Sequence, residues 1–428
     1  MRGAWLLAGA ILLGAAPAFA QDAKDAEDDI DEQPETWGAF DPGKGFEVAR
    51  TKLGSLSISN YSLVRYIDQL PEDQSFVDHL GRSHVIDTRR DLQFHRVLLT
   101  FKGYVYDPAF TYTTTVWTVN ATNQINVVGA LEYKLKRGAM IGGGVDGLPG
   151  TRSLQGSHPY WLGHDRVMAD EFFRPGFTMG VWIKGEPVKT LFYRLMLGNN
   201  LSTLGISARE DTRQFASSGS IWWQPTTGEF GPRGGFGDYE QHAELATRFG
   251  TSYTHSRENR FSDLEQKSPD NTQIRISDSL LLFEADALAP GVTVEYANYD
   301  MLAVDAGFKY EGFFLQTEWY FRWLTHLDAT GPLPIDSMFD WGFYVQAAYM
   351  VVPELVEVYL STSHVQGSFG FDGREIVGGT NLYPFDTRNL RFNLQVIGVD
   401  DSPASSLFGY YVGGQEGVTV AAAASVFF

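Results

Sequence analysis

The sequence predicts an all-β fold, a transmembrane antiparallel β-barrel of about 16 strands with short turns at one rim and long loops at the other. Apolar and polar residues alternate with a period of two along most of the chain. Short turns and long polar loops follow one another between these runs. The chain ends on an apolar stripe from Val418 to Phe428, whereas soluble chains usually end in frayed, polar residues.

The N-terminal residues have the pattern of a secretory signal peptide, assigned to residues 1–20. Arg2 supplies a positive charge, residues 5–13 are apolar or small, and Ala18-Phe19-Ala20 has the A-x-A form of a cleavage site. We expect cleavage after Ala20, which leaves about 408 residues. An uncleaved membrane anchor is the alternative, but the apolar run is shorter than the roughly 20 residues that span a bilayer.

Residues 21–45 are predicted to form an acidic, flexible leader. Residues 22–35 contain eight acids and one base, which contribute −7 to a formal net charge of −19. High charge with few apolar residues is typical of segments that lack a packed core. Calcium binding is an alternative role, although the acids do not have the spacing of an EF-hand loop.

Composition excludes several classes of protein. The chain contains no cysteine, so disulfides, thiolate metal sites and cysteine catalysis are excluded. Beyond the signal peptide no apolar stretch is long enough for a membrane-spanning helix, which excludes a helical membrane protein. The negative net charge argues against nucleic acid as a partner.

Strands are predicted throughout residues 46–428 by alternation. In Phe313–Trp323, Phe313, Trp319 and Trp323 share an apolar face, and Glu318 and Arg322 belong to the polar face. The same alternation occurs in residues 190–198, 303–311, 355–361 and 388–398. A soluble β-sandwich would show similar strands, with the apolar face toward a core.

Three features favour a barrel over a sandwich. The polar faces carry paired charges, which suit a wet lumen, and the apolar faces carry Trp and Tyr toward the strand ends, as at membrane interfaces. The last strand is apolar up to Phe428, and a barrel has no edges, so this strand must pair with the first.

A block from Gly163 to Asn200 carries a family resemblance. Its elements are Glu171–Phe177 (EFFRPGF), Gly180-Val181-Trp182, Gly185-Glu186-Pro187 and Met196–Asn200 (MLGNN). These residues resemble the phosphate-selective porin O/P family of bacterial outer-membrane channels. The block covers about forty residues, and the rest of the chain is similar to the family in its pattern of strands.

The resemblance implies a sixteen-stranded porin in the bacterial outer membrane, with periplasmic turns and external loops. It also implies a homotrimer, a pore for small hydrophilic solutes, contact with outer-membrane lipid, and Phe428 as the assembly signal for the barrel insertion machinery. It does not establish phosphate as the solute, because the sequence lacks the dense run of lumenal arginines of phosphate-specific members.

An inward constriction loop is predicted around residues 147–171, because a pore needs a narrowing and a local field. Residues 147–194 contain six bases and four acids, a net +2 within an acidic chain. Candidate constriction and anion-lining residues are Arg152, Arg166, Arg174, Lys184, Lys189, Arg194, Lys309, Arg322 and Arg391. Candidate lumenal acids are Glu244, Asp305, Glu318 and Glu357.

The inferred lumen faces carry seven bases and four acids. The bases are Arg96, Lys102, Arg194, Arg248, Lys309, Arg322 and Arg391. A basic lumen lowers the electrostatic cost of an anion, which predicts a mildly anion-preferring pore for which phosphate-like anions are candidates. Alternatively, Arg322 and Arg391 simply pair with Glu318 or Glu357 across strands.

The main prediction is therefore a porin for passive diffusion and not an enzyme, with no cofactor and no metal. A plugged barrel that serves as anchor or adhesin is one alternative. A secreted all-β hydrolase or lectin is another, in which Glu318 and Glu357 would act as a glycosidase acid–base pair. Solubility without detergent would separate the last alternative from the other two.

Overall fold

The computed structural model describes residues 36–41, 43–119, 124–136, 138–202, 213–259, 274–406 and 408–428. The signal peptide and the acidic residues 22–35 lie outside these ranges. The strands are β1 (Thr36–Asp41), β2 (Gly45–Thr51), β3 (Gly54–Leu70), β4 (Asp73–Val77), β5 (Ser83–Asp87), β6 (Arg90–Val105), β7 (Asp107–Val119), β8 (Gln124–Lys136), β9 (Ala139–Gly147), β10 (Phe177–Val188), β11 (Leu191–Gly198), β12 (Ala216–Trp223), β13 (Ala246–Asn259), β14 (Val294–Tyr310), β15 (Phe313–Ala329), β16 (Met338–Val352), β17 (Val356–Gln366), β18 (Asp372–Leu382), β19 (Leu390–Asp400) and β20 (Gly417–Phe427).

Helical structure is minor in the described ranges. The helix α1 covers Met168–Phe173, and short 3-10 turns occur at Arg152–Leu154, Pro232–Gly234 and Pro384–Asp386. In the described part of the chain, no helix has the length and apolar character needed to cross a membrane.

Sixteen antiparallel strands, β3 and β6 through β20, close into a barrel. Closure occurs where β20 pairs with β3, in a register that runs from Val418 opposite Leu70 to Phe427 opposite Tyr61. Each strand otherwise pairs with its sequence neighbour, as in β14 with β15 and β15 with β16. The predicted transmembrane antiparallel barrel and its strand number are confirmed.

The hairpin of β1 and β2 extends the sheet beyond the sixteen strands. β20 covers β3 only from Tyr61 onward, and β2 pairs with the remaining part, with Phe46 opposite Ile58. Strand β2 thus supplies hydrogen-bond partners for the backbone at the start of β3, which β20 does not reach. Strand β1 lies within the predicted leader 21–45, so residues 36–41 at least are strand rather than flexible leader.

The two faces of the strands follow the predicted alternation. On β15, Trp319 and Trp323 are exposed on the outside of the barrel, whereas Glu318 and Arg322 are buried inside. Trp319 stacks on Phe343 of the neighbouring β16, with ring centroids 4.6 Å apart. An outside of exposed apolar and aromatic side chains fits contact with lipid.

The barrel interior contains protein, and the largest apolar cluster of the described residues lies there. Four connecting segments contribute buried residues: 148–176, 224–245, 274–293 and 401–416. Three of them join strands at the long-loop rim. Residues 224–245 join β12 to β13 at the opposite rim, where the pattern of the sequence predicts short turns.

The C-terminal residue completes the seam of the barrel. The backbone N–H of Phe428 donates to the carbonyl of Asn60 at 2.9 Å, and the N–H of Asn60 donates to the carbonyl of Phe428 at 2.7 Å. The Phe428 ring also packs edge-on against Phe46, with centroids 5.8 Å apart. The last residue is therefore tied by its backbone and by its ring.

Deletion of Phe428 is expected to reduce the yield of folded barrel, because it removes two backbone hydrogen bonds, together worth roughly 2 kcal/mol. The Phe46→Ala variant is the matched control, since it removes only the ring contact, worth about 1 kcal/mol. Heat-modifiable gel mobility after refolding in detergent measures the folded fraction. Equal loss in both variants would mean that the ring contact alone matters.

Candidate functional site

Segment 148–176 crosses the barrel interior and is held by buried polar contacts to several strands. The N–H of Arg152 donates to Glu318 on β15 at 2.8 Å, and the N–H of Met168 donates to Glu375 on β18 at 2.6 Å. The hydroxyl of Tyr299 on β14 donates to the carbonyl of Phe173 at 2.6 Å. Lumen-facing side chains thus pair backbone groups of the segment that would otherwise be buried without partners.

Segment 224–245 enters the interior from the other rim and meets the first segment. The rings of Phe230 and Phe236 pack against Phe314 on β15, with centroids 6.4 and 5.9 Å apart. The N–H of Phe236 donates to the carbonyl of Tyr160 at 2.7 Å, and the Arg152 guanidinium contacts the carbonyl of Gly234. Segments that enter from opposite rims therefore contact each other inside the barrel.

A cavity of about 650 Å³ lies between segment 148–176 and the wall formed by β3 and β6 through β10. Five basic side chains line it: Arg96, Lys102, Arg166, Lys184 and Arg233. Two acidic side chains line it: Glu132 and Asp146. We call this space the wall cavity.

Ion pairs hold several charges of the wall cavity in place. The Lys184 ammonium lies 2.5 Å from Glu132, and Asp146 lies 2.5 Å from Arg194. Arg96 lies 3.0 Å from the buried carboxylate of Asp165 in segment 148–176. Burial alone would raise the pKa of Asp165, but Arg96 and the other nearby arginines hold that pKa well below its usual range. Asp165 therefore stays charged and orients Arg96.

Of the nine candidate constriction and anion-lining residues, all of which lie in the described ranges, Arg166 and Lys184 line the wall cavity. Arg174 is buried against Glu171 at 2.9 Å, and Lys309 is buried between aromatic rings, with its ammonium 4.9 Å from the centroid of Phe230. The other buried bases bind protein groups: Arg152 the carbonyl of Gly234, Arg194 the carboxylate of Asp146, Arg322 the carboxylate of Asp340, and Arg391 the carbonyls of residues 161–163.

Arg322 forms a cross-strand ion pair, but its partner is neither Glu318 nor Glu357, the partners predicted for it. Its guanidinium lies 2.7 Å from Asp340 on β16 and 4.2 Å from the Phe172 ring centroid, rather than against Glu318. Arg391 holds backbone carbonyls of segment 148–176 instead of Glu357.

Two predicted lumen charges lie outside the lumen. Lys189 is exposed in the turn after β10, because that strand ends at Val188. Glu244 is exposed in segment 224–245, because β13 begins only at Ala246.

The remaining predicted acids are buried and paired with protein. Asp305 accepts from Arg248 at 2.9 Å. Glu318 accepts from the Arg152 N–H at 2.8 Å and from the Tyr320 hydroxyl at 2.7 Å. Glu357 accepts from Asn381 and from Tyr383, both at 2.8 Å. Because separate protein donors hold each carboxylate and neither lines the wall cavity, this geometry gives no support to a glycosidase pair.

The cavity also contains residues that the site prediction did not include. Arg96 and Lys102 were not constriction candidates, but the alternation of β6 predicted both of them as bases of the lumen face. Arg233 lies in segment 224–245, which has no periodic pattern, and its Nε donates to the carbonyl of Gly156 at 3.1 Å. Because both segments are irregular, no periodic pattern in the sequence predicts their contact.

A second cluster lies in segment 224–245. The imidazole of His242 contacts Asp238 through Nδ1 and lies 2.8 Å from Glu229 through Nε2, and Asp238 also accepts from the N–H of Gly312 at 2.8 Å. Donor atoms of Asp238, Glu240 and His242 lie within 4.8 Å of one another, a spacing that could hold a metal ion. Glu240, however, is already paired with Arg388 at 3.0 Å.

Comparisons with solved structures give porin barrels. OmpT of Vibrio cholerae matches with a TM-score of 0.54 and 10% identity, over 89% of this chain and 99% of that chain. An anion-selective porin from Comamonas acidovorans matches with a TM-score of 0.51 and 12% identity, over 88% of this chain and all of that chain. Salmonella typhi OmpF, solved with daunomycin, matches with a TM-score of 0.51 and 12% identity, over 88% and 98%.

These likenesses show a shared fold and nothing further about function, because the sequence identities are only 10–12%. No protein-family model and no curated protein matches the sequence.

The Asp238–His242 pair makes the anchoring of segment 224–245 dependent on pH. The hydrogen bond that the His242 imidazole donates to Asp238 raises the pKa of His242, whereas burial would lower it. Burial would raise the pKa of Asp238, but the contacts with His242 and Gly312 lower it. The His242 contribution to stability is therefore complete below its unfolded pKa of about 6.5 and is lost as pH rises through the raised pKa.

Amide exchange in segment 224–245, corrected for intrinsic rates, is expected to accelerate as pH rises from about 6 to about 9. Mass spectrometry of the detergent-folded protein measures this. In the His242→Gln variant the segment should exchange faster than in the wild type at about pH 6, and a rise in pH should accelerate its exchange little further. Segment 274–293 serves as an internal control. A wild-type profile as flat as that of the variant would contradict the ion-pair anchor.

Proposed function

We propose that the protein is an outer-membrane porin that lets small hydrophilic solutes diffuse passively, with a mild preference for anions, and that it is not an enzyme. One observation carries the anion preference: five bases and two acids line the wall cavity, within a chain whose net charge is −19. The basic lining lowers the electrostatic cost of an anion and raises its local concentration.

The inward segments support a selective rather than a wide pore. Segment 148–176 narrows the lumen, and its buried Asp165 fixes Arg96 on the cavity wall. Arg166 lies over the ring of Trp161 at 4.6 Å, which presents its guanidinium at the cavity from the segment itself. Cations on both sides of a narrow space act together on a passing anion.

Location and assembly belong to the same proposal. The signal-peptide pattern and the exposed apolar outside of the barrel support an outer-membrane location, with external long loops. The resemblance of residues 163–200 supports the phosphate-selective O/P type and a homotrimer, and one of the structural neighbours was solved in a trimer form. Phosphate-like anions are therefore among the candidate solutes.

A plugged barrel that serves as an anchor or adhesin is the second candidate. The contact between segments 148–176 and 224–245, at Phe236 and Tyr160, favours it, because protein from both rims occupies the interior. This candidate predicts heat-modifiable β-structure in detergent with little or no conductance.

Reversal potentials in planar bilayers under a salt gradient test the anion preference. Lys102→Gln and Arg233→Gln should each lower the anion-over-cation permeability ratio about two-fold or more, since one charge at about 10 Å in water is worth about 0.4 kcal/mol. Arg374→Gln is the matched control, because Arg374 is exposed and does not line the wall cavity.

Three results would count against the proposal. Cation preference of the unmodified protein contradicts the anion preference. An equal shift in the Arg374 control assigns the effect to overall charge rather than to the cavity. Folded barrels without conductance favour the plugged alternative.

A further inference from the structure

We propose that the wall cavity binds anions that carry an aromatic ring, with aryl carboxylates as the ligand class. This inference rests on the proposed porin function and specifies its solute. It differs from a preference for inorganic phosphate, because it requires an apolar contact surface as well as positive charge.

Aromatic side chains line the wall cavity together with the bases. They are Tyr61, Trp117, Trp161, Phe177, Trp182 and Phe427, so three of the ten tryptophans of the chain lie there. Trp117 and Phe177 meet edge to face, with centroids 6.3 Å apart. A small hydrated anion gains little from such a lining, whereas a flat ring can stack on it or meet it edge-on.

Charge and ring are fixed next to each other on the wall. The indole N–H of Trp182 donates to Glu132 at 2.8 Å, and the same carboxylate binds the Lys184 ammonium at 2.5 Å. This arrangement holds a flat apolar surface beside a cation. An aryl carboxylate has the complementary arrangement, a flat ring bonded directly to an anion.

Segment 148–176 repeats this combination from the other side of the cavity. The Arg166 guanidinium lies 4.6 Å from the centroid of the Trp161 ring, a cation–π contact. The His158 ring packs between Tyr61 and Trp161, with centroids 4.8 and 5.0 Å away. Burial lowers the pKa of His158 well below its usual value, so this imidazole is neutral and can stack with other rings.

Two buried nitrogens of cavity-lining residues, Trp117 Nε1 and His158 Nε2, have no hydrogen-bond partner among the described residues. Of these two, Trp117 Nε1 can only donate. Buried donors are nearly always paired in folded proteins, and an unpaired one needs an explanation. A ligand that brings a carboxylate oxygen beside the Trp117 ring would supply the missing acceptor.

The volume fits this class of ligand. About 650 Å³ lies within the range of roughly 300–1,000 Å³ of small-molecule sites, and it exceeds what a bare phosphate needs. Size, aromatic lining, unpaired donor and adjacent cations together favour a monocyclic aromatic acid over a small inorganic anion.

The experiment compares anions as blockers of chloride current through the full-length protein in planar bilayers. Benzoate is the aromatic probe, cyclohexanecarboxylate is a saturated ring of similar size, and acetate and inorganic phosphate carry charge without a ring. Benzoate is expected to halve the current at a concentration at least about ten-fold below that of acetate or phosphate, a difference of about 1.4 kcal/mol.

Variants connect the effect to the cavity. Trp117→Leu should raise the half-blocking concentration of benzoate and leave that of acetate unchanged. Trp319→Leu is the matched control, because Trp319 is exposed on the outside of the barrel and should change neither value. If Trp117→Leu does not fold, Trp182→Leu, which removes another ring of the cavity lining, takes its place and should likewise raise the half-blocking concentration of benzoate.

The outcomes separate this inference from the proposed function. An anion-selective channel in which benzoate blocks no better than acetate overturns the inference and leaves the porin proposal intact. Block by benzoate and cyclohexanecarboxylate alike overturns the aromatic requirement. If the folded protein does not conduct, benzoate-dependent quenching of tryptophan fluorescence in detergent, lost in Trp117→Leu, still supports the binding site, and its absence overturns it.

Discussion

The pairing of β20 with β3 is the constraint on which the rest of the structure depends. In a bilayer every backbone N–H and C=O must be paired within the protein, so an antiparallel sheet can cross only as a closed cylinder. Here β20 pairs with β3 from Val418 opposite Leu70 to Phe427 opposite Tyr61, and the backbone bonds between Phe428 and Asn60 extend that contact. Because β20 ends there, the hairpin of β1 and β2 covers the remaining edge of β3.

Closure also determines what lies inside. With the apolar faces directed outward, sixteen strands direct polar and charged side chains into one lumen, and charges that are buried there need partners. On the side of β13 through β19 the inward segments supply them: Glu318 receives the Arg152 N–H and Arg391 holds the carbonyls of Trp161 and Gly163. These charges mainly fix the inward segments, and the wall cavity lies against β3 and β6 through β10.

The difference between lumenal charges that bind inward segments and charges that line the wall cavity explains how much could be predicted from the sequence. The strands and their faces were predictable, because alternation reports directly on lipid and lumen, as Trp319 and Glu318 on β15 illustrate. Which lumenal charges face open space was not predictable, because that depends on where irregular segments such as 224–245 fold. Arg233 lines the cavity from such a segment, whereas Glu244 in the same segment does not, and no periodicity separates the two.

A count of charges on lumen faces is therefore a poor guide to selectivity in a barrel whose interior is partly filled. Of the seven bases on the inferred lumen faces, Arg96 and Lys102 line the wall cavity, whereas Arg322 and Arg391 bind protein groups. Bases outnumber acids in the lining of the wall cavity only because Arg166, Lys184 and Arg233 line it as well. Two of these three come from inward segments, so these segments also supply part of the positive charge that lines the wall cavity. The charge lining of the wall cavity therefore depends on how these segments fold, and a substitution that displaces either segment would alter that lining.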